Sequence, residues 1–201
     1  FNHCIDNAPL PVYQSSYRQF HSMETALLKV QSDILCNMDN QEVTLLVLLD
    51  LSAAFDTIDC RIMLEMLQSD FGICGDALQW FRSYLSERKQ HVIVNQQFSK
   101  IFNVNCGIPQ GSCLGPVLFI LHVSRLFEVV KKHLPLVHGY ADDTQLYVSF
   151  RPVSSASEDF AVKAMESCIE DVRAWLVCNK LMFHDSKTEL LIIGSRKQLS
   201  K

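Results

Sequence analysis

The residues of this chain whose types and spacing could do chemistry are acidic. Asp50 closes the run Leu45-Leu46-Val47-Leu48-Leu49, and Asp142 and Asp143 stand side by side between two apolar stretches. A single charge after a buried strand is usually a solvated strand end. An adjacent pair of carboxylates in a tight turn is different, because the two repel unless something neutralises them. A divalent cation is the ordinary solution, and hard oxygen ligands favour Mg2+ or Mn2+. Two ions roughly 4 Å apart can activate an attacking hydroxyl and stabilise a leaving oxygen in phosphoryl transfer. Spacing alone does not choose between a polymerase and a nuclease.

Other chemistries find less support. The eight cysteines (4, 36, 60, 74, 106, 113, 168, 178) include no C-x-x-C, so a zinc site is not expected. Reduced, mostly buried thiols are the expectation, as in a cytosolic or nuclear chain. Ser112 lies outside any G-x-S-x-G, and no G-x-x-x-x-G-K-[ST] occurs. His133 and His138 are five apart with no carboxylate at metal spacing, which reads as surface or core histidine. Arg88, Lys89, Lys100, Lys131, Lys132, Arg196 and Lys197 read as solvated faces.

The elements that must carry the acids follow from periodicity. Val43 to Leu49 is a strand buried on both faces, ending at Asp50. Leu136 to Tyr140 and Gln145 to Phe150 flank Ala141-Asp142-Asp143-Thr144 as a hairpin. Helices are expected from Glu24 to Met38 with Leu27, Leu28, Ile34 and Leu35 on one side, then over 61–68, 77–85 and 117–132. A long helix carries the stripe Met165, Cys168, Ile169, Val172, Trp175 and Leu176. His91 to Asn95 and Phe98 to Val104 form two strands around a Gln96-Gln97 turn, and Leu190 to Ile193 is a last strand. This is an α+β class chain: an antiparallel sheet with helices packed on one face.

Composition sets the outer bounds. With 201 residues and 48% hydrophobic content the chain suits one domain that needs no disulfide or structural metal. Its purest apolar runs are five residues, far short of the ~20 a spanning helix needs, so no membrane contact is expected. Net charge is -4, divided as -5 over residues 1–100 and +1 over 101–201. Neither half is a basic patch that would attract nucleic acid by itself.

Four motifs in order carry a family resemblance. Leu48-Leu49-Asp50-Leu51-Ser52-Ala53-Ala54-Phe55-Asp56-Thr57-Ile58-Asp59 resembles motif A of non-LTR (LINE-type) retrotransposon reverse transcriptases. Cys106-Gly107-Ile108-Pro109-Gln110-Gly111-Ser112-Cys113-Leu114-Gly115-Pro116 resembles their motif B. Tyr140-Ala141-Asp142-Asp143-Thr144-Gln145-Leu146 is similar to motif C, and the segment from Asn179 to Lys187-Thr188-Glu189 to the one downstream. The similarity runs from about His21 to Gly194.

The resemblance implies a polymerase palm over residues 21–194, with 1–20 an irregular lead-in and 195–201 a tail. It implies RNA-directed DNA synthesis on an RNA template and DNA primer, from a deoxynucleoside triphosphate, with two Mg2+ (or Mn2+) ions, inside the cell, in nucleus or cytoplasm. Asp50, Asp142 and Asp143 are then the metal-binding and catalytic acids. The Leu51 carbonyl faces metal or triphosphate, and Phe55 sits under the incoming sugar and excludes a 2′-hydroxyl. Gln110 lies over the nucleotide, Gly107 and Gly111 allow its close approach, and Lys187 lies near the triphosphate. Basic fingers and a thumb are expected outside this stretch, so that the chain alone is expected not to polymerise.

Three positions depart from the family pattern. Cys60 stands where histidine is common, His122-Val123-Ser124-Arg125-Leu126 replaces a Tyr-x-Asn-Asp-Leu type, and Phe183-His184 replaces Leu-Asn. The alternative expectation is therefore a catalytically silent relic or a co-opted nucleic-acid-binding domain.

Overall fold

The structure is a computed structural model that describes residues 11–52, 55–134 and 136–200. Ala53 and Ala54 of the first motif, residues 1–10 of the lead-in with Cys4, and Lys201 of the tail lie outside the described residues.

Helix α1 (Met23–Asp39) opens on a capping box in which the Ser22 and Thr25 side chains satisfy each other's backbone N–H groups. Strand β1 (Val43–Leu49) follows, then the two-residue β2 (Leu51–Ser52). Asp59 accepts from the Arg61 and Ile62 amides to start α2 (Cys60–Ser69), and α3 (Gly75–Leu85) comes next. A projecting ribbon holds β3 (Arg88–Gln90), β4 (Ile93–Val94), β5 (Gln97–Phe98) and β6 (Phe102–Val104). Helix α4 (Gly115–Val130) carries Pro116 in its first turn, where a missing N–H costs nothing. Strands β7 (Leu136–Tyr140) and β8 (Asp143–Phe150) form the central hairpin. The chain ends with α5 (Ser155–Cys178), β9 (Met182–Phe183), a 3₁₀ turn over Asp185–Lys187, β10 (Glu189–Ile193) and α6 (Arg196–Leu199).

The main sheet is antiparallel in the order β10-β1-β8-β7. Because side chains alternate faces along a strand, one set from β1 and β8 (Leu45, Val47, Leu49, Leu146, Val148) enters a single core with α2 to α5. Ten of the sixteen residues of α4 are buried, which makes it the central helix of that layer. The helices expected on one face are there. Helix α1, expected on that same face, instead lies on the opposite one, where Val30 packs on Leu46 and Tyr147, and Asp33 accepts from the Tyr147 hydroxyl at 2.8 Å.

That contact corrects the face expected of α1. Its buried residues are Ala26 and Val30, while Leu27, Leu28 and Leu35 are each more than half exposed. The ribbon turn also moves by one residue. Ile93 pairs with Phe98 and Val94 with Gln97, so Asn95-Gln96 is the turn, with φ of 49° and 64°. Two left-handed residues match the twist of a two-residue hairpin, and asparagine tolerates that conformation best after glycine. The expectation of mostly buried thiols is overturned: among the described cysteines Cys168 is buried and Cys60 half-buried, and the other five are exposed and all are unpaired. Among the described residues no helix is long and apolar enough to cross a membrane.

Candidate active site

Strand register brings the acids together. The β1–β8 ladder ends at Leu49 opposite Thr144, so that Asp50 and Asp143 are the next residues at that end, near enough for the charge of Asp50 to act on Asp143. The β7–β8 ladder closes at Tyr140 opposite Asp143, leaving Ala141 and Asp142 as a two-residue turn, tighter than the four-residue one expected. Asp50 falls at the point where the chain changes sheets. Its carbonyl accepts from the His184 amide at 3.1 Å, and the next residue, Leu51, pairs with Phe183 of β9. The segment after α5 is therefore stitched to the segment carrying Asp50.

The electrostatics follow from this arrangement. Burial first, then the charges of Asp142 and Asp50, push the Asp143 carboxyl up from its ordinary value, while Lys187 opposes them. Lys187 Nζ lies 3.1 Å from Asp50 Oδ2 and is the cation closest at hand. The donor set is all oxygen and suits a hard divalent ion. The acids are neighbours but do not form a closed cage: among the described residues no cluster of three or more acid, histidine or cysteine side chains is arranged to hold a metal.

A second group of expected residues assembles one loop away. Ile108 N donates to the Phe55 carbonyl at 2.8 Å and Gly107 N to the Ile58 carbonyl at 2.7 Å, joining the loop after Asp50 to the loop before α4. Phe55 is half-buried, its ring stacked on Phe119 of α4 with centroids 4.5 Å apart. It is packed against the core on that side. Gln110 Nε2 donates to Asp56 Oδ1 at 2.9 Å, beside an open basin of about 840 Å³ that Arg88, Lys89 and Gly107 also line. A Cβ on Gly107 would sit 2.7 Å from the Asp56 carbonyl oxygen, so this position requires glycine on steric grounds. Gly111 has φ of 73° but open space around it. Leu51 is buried in β2.

Arg88, read from sequence as a solvated charge, is a clamp on this loop. Its guanidinium donates to the Gly107 carbonyl at 2.6 Å, the Cys106 carbonyl at 2.9 Å and the Leu85 carbonyl at 3.0 Å, and reaches Cys60 Sγ at 3.4 Å. Burial pushes the Cys60 thiol up despite that neighbouring charge. The signal available in sequence was position: Arg88 follows the end of α3, whose last carbonyls need donors. His133 also has a partner that spacing could not reveal, Asp171 at 2.8 Å across to α5.

An antiparallel sheet backed by helices, with acids meeting at the ends of its two central strands, defines a polymerase palm. The family model for reverse transcriptase (RNA-dependent DNA polymerase) matches residues 2–199. The chain belongs to the reverse transcriptase family, and its similarity lies with the non-LTR (LINE-type) elements. It is 29% identical over 153 residues to the RNA-directed DNA polymerase from mobile element jockey of Drosophila melanogaster, covering 74% of this chain and 16% of that protein. It is 26% identical over 171 residues to the probable RNA-directed DNA polymerase from transposon BS of the same fly, covering 83% and 18%. The chain thus spans less than a fifth of the length of these curated relatives. Among solved structures, apo telomerase from Candida tropicalis truncated from its C-terminal domain superposes with a TM-score of 0.66 at 14% identity, over 89% of this chain and 36% of that one. The telomerase from the same yeast in complex with the TWJ fragment of telomeric RNA gives 0.65 at 13%, over 89% and 30%. At such identities the likeness is one of fold.

Proposed function

We propose that this chain is the palm of an RNA-directed DNA polymerase, with residues 21–194 as the palm proper, residues 1–20 leading in and 195–201 as a tail. It would act on an RNA template and a DNA primer, in nucleus or cytoplasm, joining a deoxynucleoside triphosphate to the primer 3′ end. The observation that supports this reading is the register ending at Leu49 opposite Thr144, after which Asp50 and Asp143 follow at the same end of the sheet, with Asp142 in the turn beside them. In the reaction the 3′-hydroxyl gives its proton to solvent, its oxygen forms a bond to the α-phosphorus, the bond from that phosphorus to the oxygen bridging to the β-phosphorus breaks, and pyrophosphate leaves. Asp50, Asp142 and Asp143 would hold two Mg2+ or Mn2+ ions, which when bound supply Lewis-acid stabilisation of the attacking and leaving oxygens.

The remaining work belongs to side chains. Phe55, fixed from behind by Phe119, offers the ring edge on which a deoxyribose fits and a 2′-hydroxyl collides. Gln110, steered by Asp56, covers the nucleotide. Gly111 leaves room for its approach, and the Leu51 carbonyl faces the triphosphate. Lys187, paired with Asp50, balances the acid charge and would meet the departing pyrophosphate.

The test is primer extension on an RNA template, with Mg2+ and then Mn2+ at low salt. It is run on the 201-residue chain and on the same chain placed within the flanking parts of a relative. Mn2+ uptake by the chain alone, extension in the composite, and loss of extension with Asp142→Asn are the expected results. Silence in both proteins together with no Mn2+ uptake would leave a catalytically silent domain as the reading.

A further inference from the structure

The turn that carries Asp142 is held from outside the sheet by the segment before α1. Residues 13–15 run beside β7: Gly139 N donates to the Tyr13 carbonyl at 2.8 Å, and Ser15 N to the Gly139 carbonyl at 2.9 Å. Between them Gln14, only 2% exposed, points at the turn. Its Nε2 donates to the Ala141 carbonyl at 3.2 Å, and its Oε1 accepts from the Ala141 amide at 3.1 Å. Ser16 Oγ also accepts from that amide, at 2.9 Å, while its own hydroxyl and backbone N–H both donate to Gln14 Oε1. The amide of one side chain thus meets both polar groups of one residue, as a neighbouring strand would.

That residue is under strain. Ala141 has φ of 57°, a left-handed conformation that disfavours any residue with a Cβ. Strained backbone persists where its surroundings over-determine it. The neighbours leave little slack: a Cβ on Gly139 would lie 2.6 Å from Phe127 and 3.3 Å from Gln14 Nε2. Without these bonds the amide and carbonyl of Ala141 have less reason to hold a turn that puts two carboxylates side by side.

We infer that Gln14 is a positioning residue for the acidic turn: its amide, with Ser16, fixes the Ala141 peptide and so holds Asp142 and Asp143 side by side on the turn that would take up divalent metal. The inference rests on the proposed reading of those acids as metal-binding. Gln14 touches neither metal nor substrate and acts through the backbone, 127 residues away in sequence. Partners of this kind behind a metal ligand commonly change affinity by about 10- to 100-fold when removed.

The experiment uses the full chain and two readouts. Mn2+ binding is followed by electron paramagnetic resonance, and protection of the Ala141 amide by hydrogen exchange. Gln14→Met keeps the length and removes both bonds; Gln198→Met is the control, a glutamine equally buried and bonded to Ser195 and Met38 far from the turn. Gln14→Met is expected to weaken Mn2+ binding about tenfold and to speed Ala141 exchange about tenfold. Gln198→Met is expected to change neither, although it destabilises the fold comparably. Should Gln14→Met fail to fold, Ser16→Ala, which removes the hydroxyl that accepts from the same Ala141 amide without adding charge, gives the same comparison. Unchanged Ala141 exchange overturns the clamp whatever the metal does. Unchanged Mn2+ affinity, or an equal loss in Gln198→Met, overturns the positioning role. A wild-type chain that takes up no Mn2+ overturns the reading of the acids themselves, and the exchange measurement tells that failure from failure of the clamp.

Discussion

Gly107 and Gly111 bracket the loop that carries Gln110, and replacing each with alanine separates two costs that are usually confounded. Both have positive φ, 79° and 73°, so each substitution carries a left-handed penalty of about 1–2 kcal/mol. They differ in surroundings. Nothing lies within 4 Å of a Cβ on Gly111, whereas a Cβ on Gly107 meets the Asp56 carbonyl oxygen at 2.7 Å, its Cα at 3.0 Å and its carbonyl carbon at 3.1 Å. These are backbone atoms and cannot rotate away. Overpacking of this kind adds about 1–3 kcal/mol, so Gly107→Ala should cost about 2–5 kcal/mol in all.

The chain can also relieve the clash by letting the loop come off, which gives up the bonds from Gly107 to Ile58 and from Ile108 to Phe55. The loss would then be local. Urea unfolding followed by tryptophan fluorescence reads the global cost, and exchange at the Ile108 amide reads the local one. Gly107→Ala should be at least 1 kcal/mol less stable than Gly111→Ala, or should lose protection at Ile108 while Gly111→Ala keeps it. Equal stabilities with Ile108 protected in both would refute the close packing of these two loops.

Three further outcomes follow from other contacts. His122 is buried with neither ring nitrogen bonded, and burial first, then the Arg125 charge, hold its pKa down at about 4. The unfolded chain therefore takes up a proton near pH 6.5 that the folded chain refuses until about 4, and stability should fall across that window by up to about 3 kcal/mol; urea titrations of His122→Phe should show a flatter profile, and an unchanged slope would discount the effect. Phe55→Val, in an extending protein, should admit ribonucleotides while deoxynucleotide use falls less, and unchanged sugar discrimination would return Phe55 to a purely packing role beside Phe119. Arg88→Lys keeps the charge but loses the planar fork that meets three carbonyls, so exchange at Gly107 and Ile108 should rise about tenfold; continued protection there would mean the loop is held by its contacts with residues 55–58 alone.

The parts of this fold that were legible in sequence are those whose signal is local. An apolar run that stops at Asp50 marks a strand buried on both faces, and Tyr140 to Thr144 marks a hairpin, because both patterns are complete within a few residues. The face of α1 was not legible. Of the expected stripe Ile34 does pack on the sheet, but Leu27, Leu28 and Leu35 stay exposed, because the helix meets Leu46 and Tyr147 through Val30 and bonds the Tyr147 hydroxyl through Asp33. A polar contact between residues 114 apart leaves no trace in periodicity. The same holds for the exposed thiols, since cysteine's general tendency toward burial says nothing about where a particular helix places it.

The candidate site divides along the same line. Its acids are named by type and spacing and its glycines and aromatic ring by the family resemblance, but what holds them is polar, distant and on other elements. Arg88 looked like a surface charge because sequence shows a charge and hides the carbonyls it meets. The departures from the family pattern show how such contacts compensate one another. Arg125, in place of an acid, pairs with Asp70 and holds that carboxyl below its usual range, while Cys60, in place of histidine, accepts from Arg88 at the loop that carries Gln110. His122 has no such compensation, and its cost is the pH dependence predicted above. Cys60 and Arg125 are thus absorbed by a hydrogen bond and an ion pair at the rim of the core, and His184 meets Asp50 through its backbone amide, which any residue but proline supplies. Substitutions that loosened the acids themselves would have to fall on the β1–β8 register or on the residues that grip Ala141, and there the chain keeps its apolar ladder and its buried glutamine.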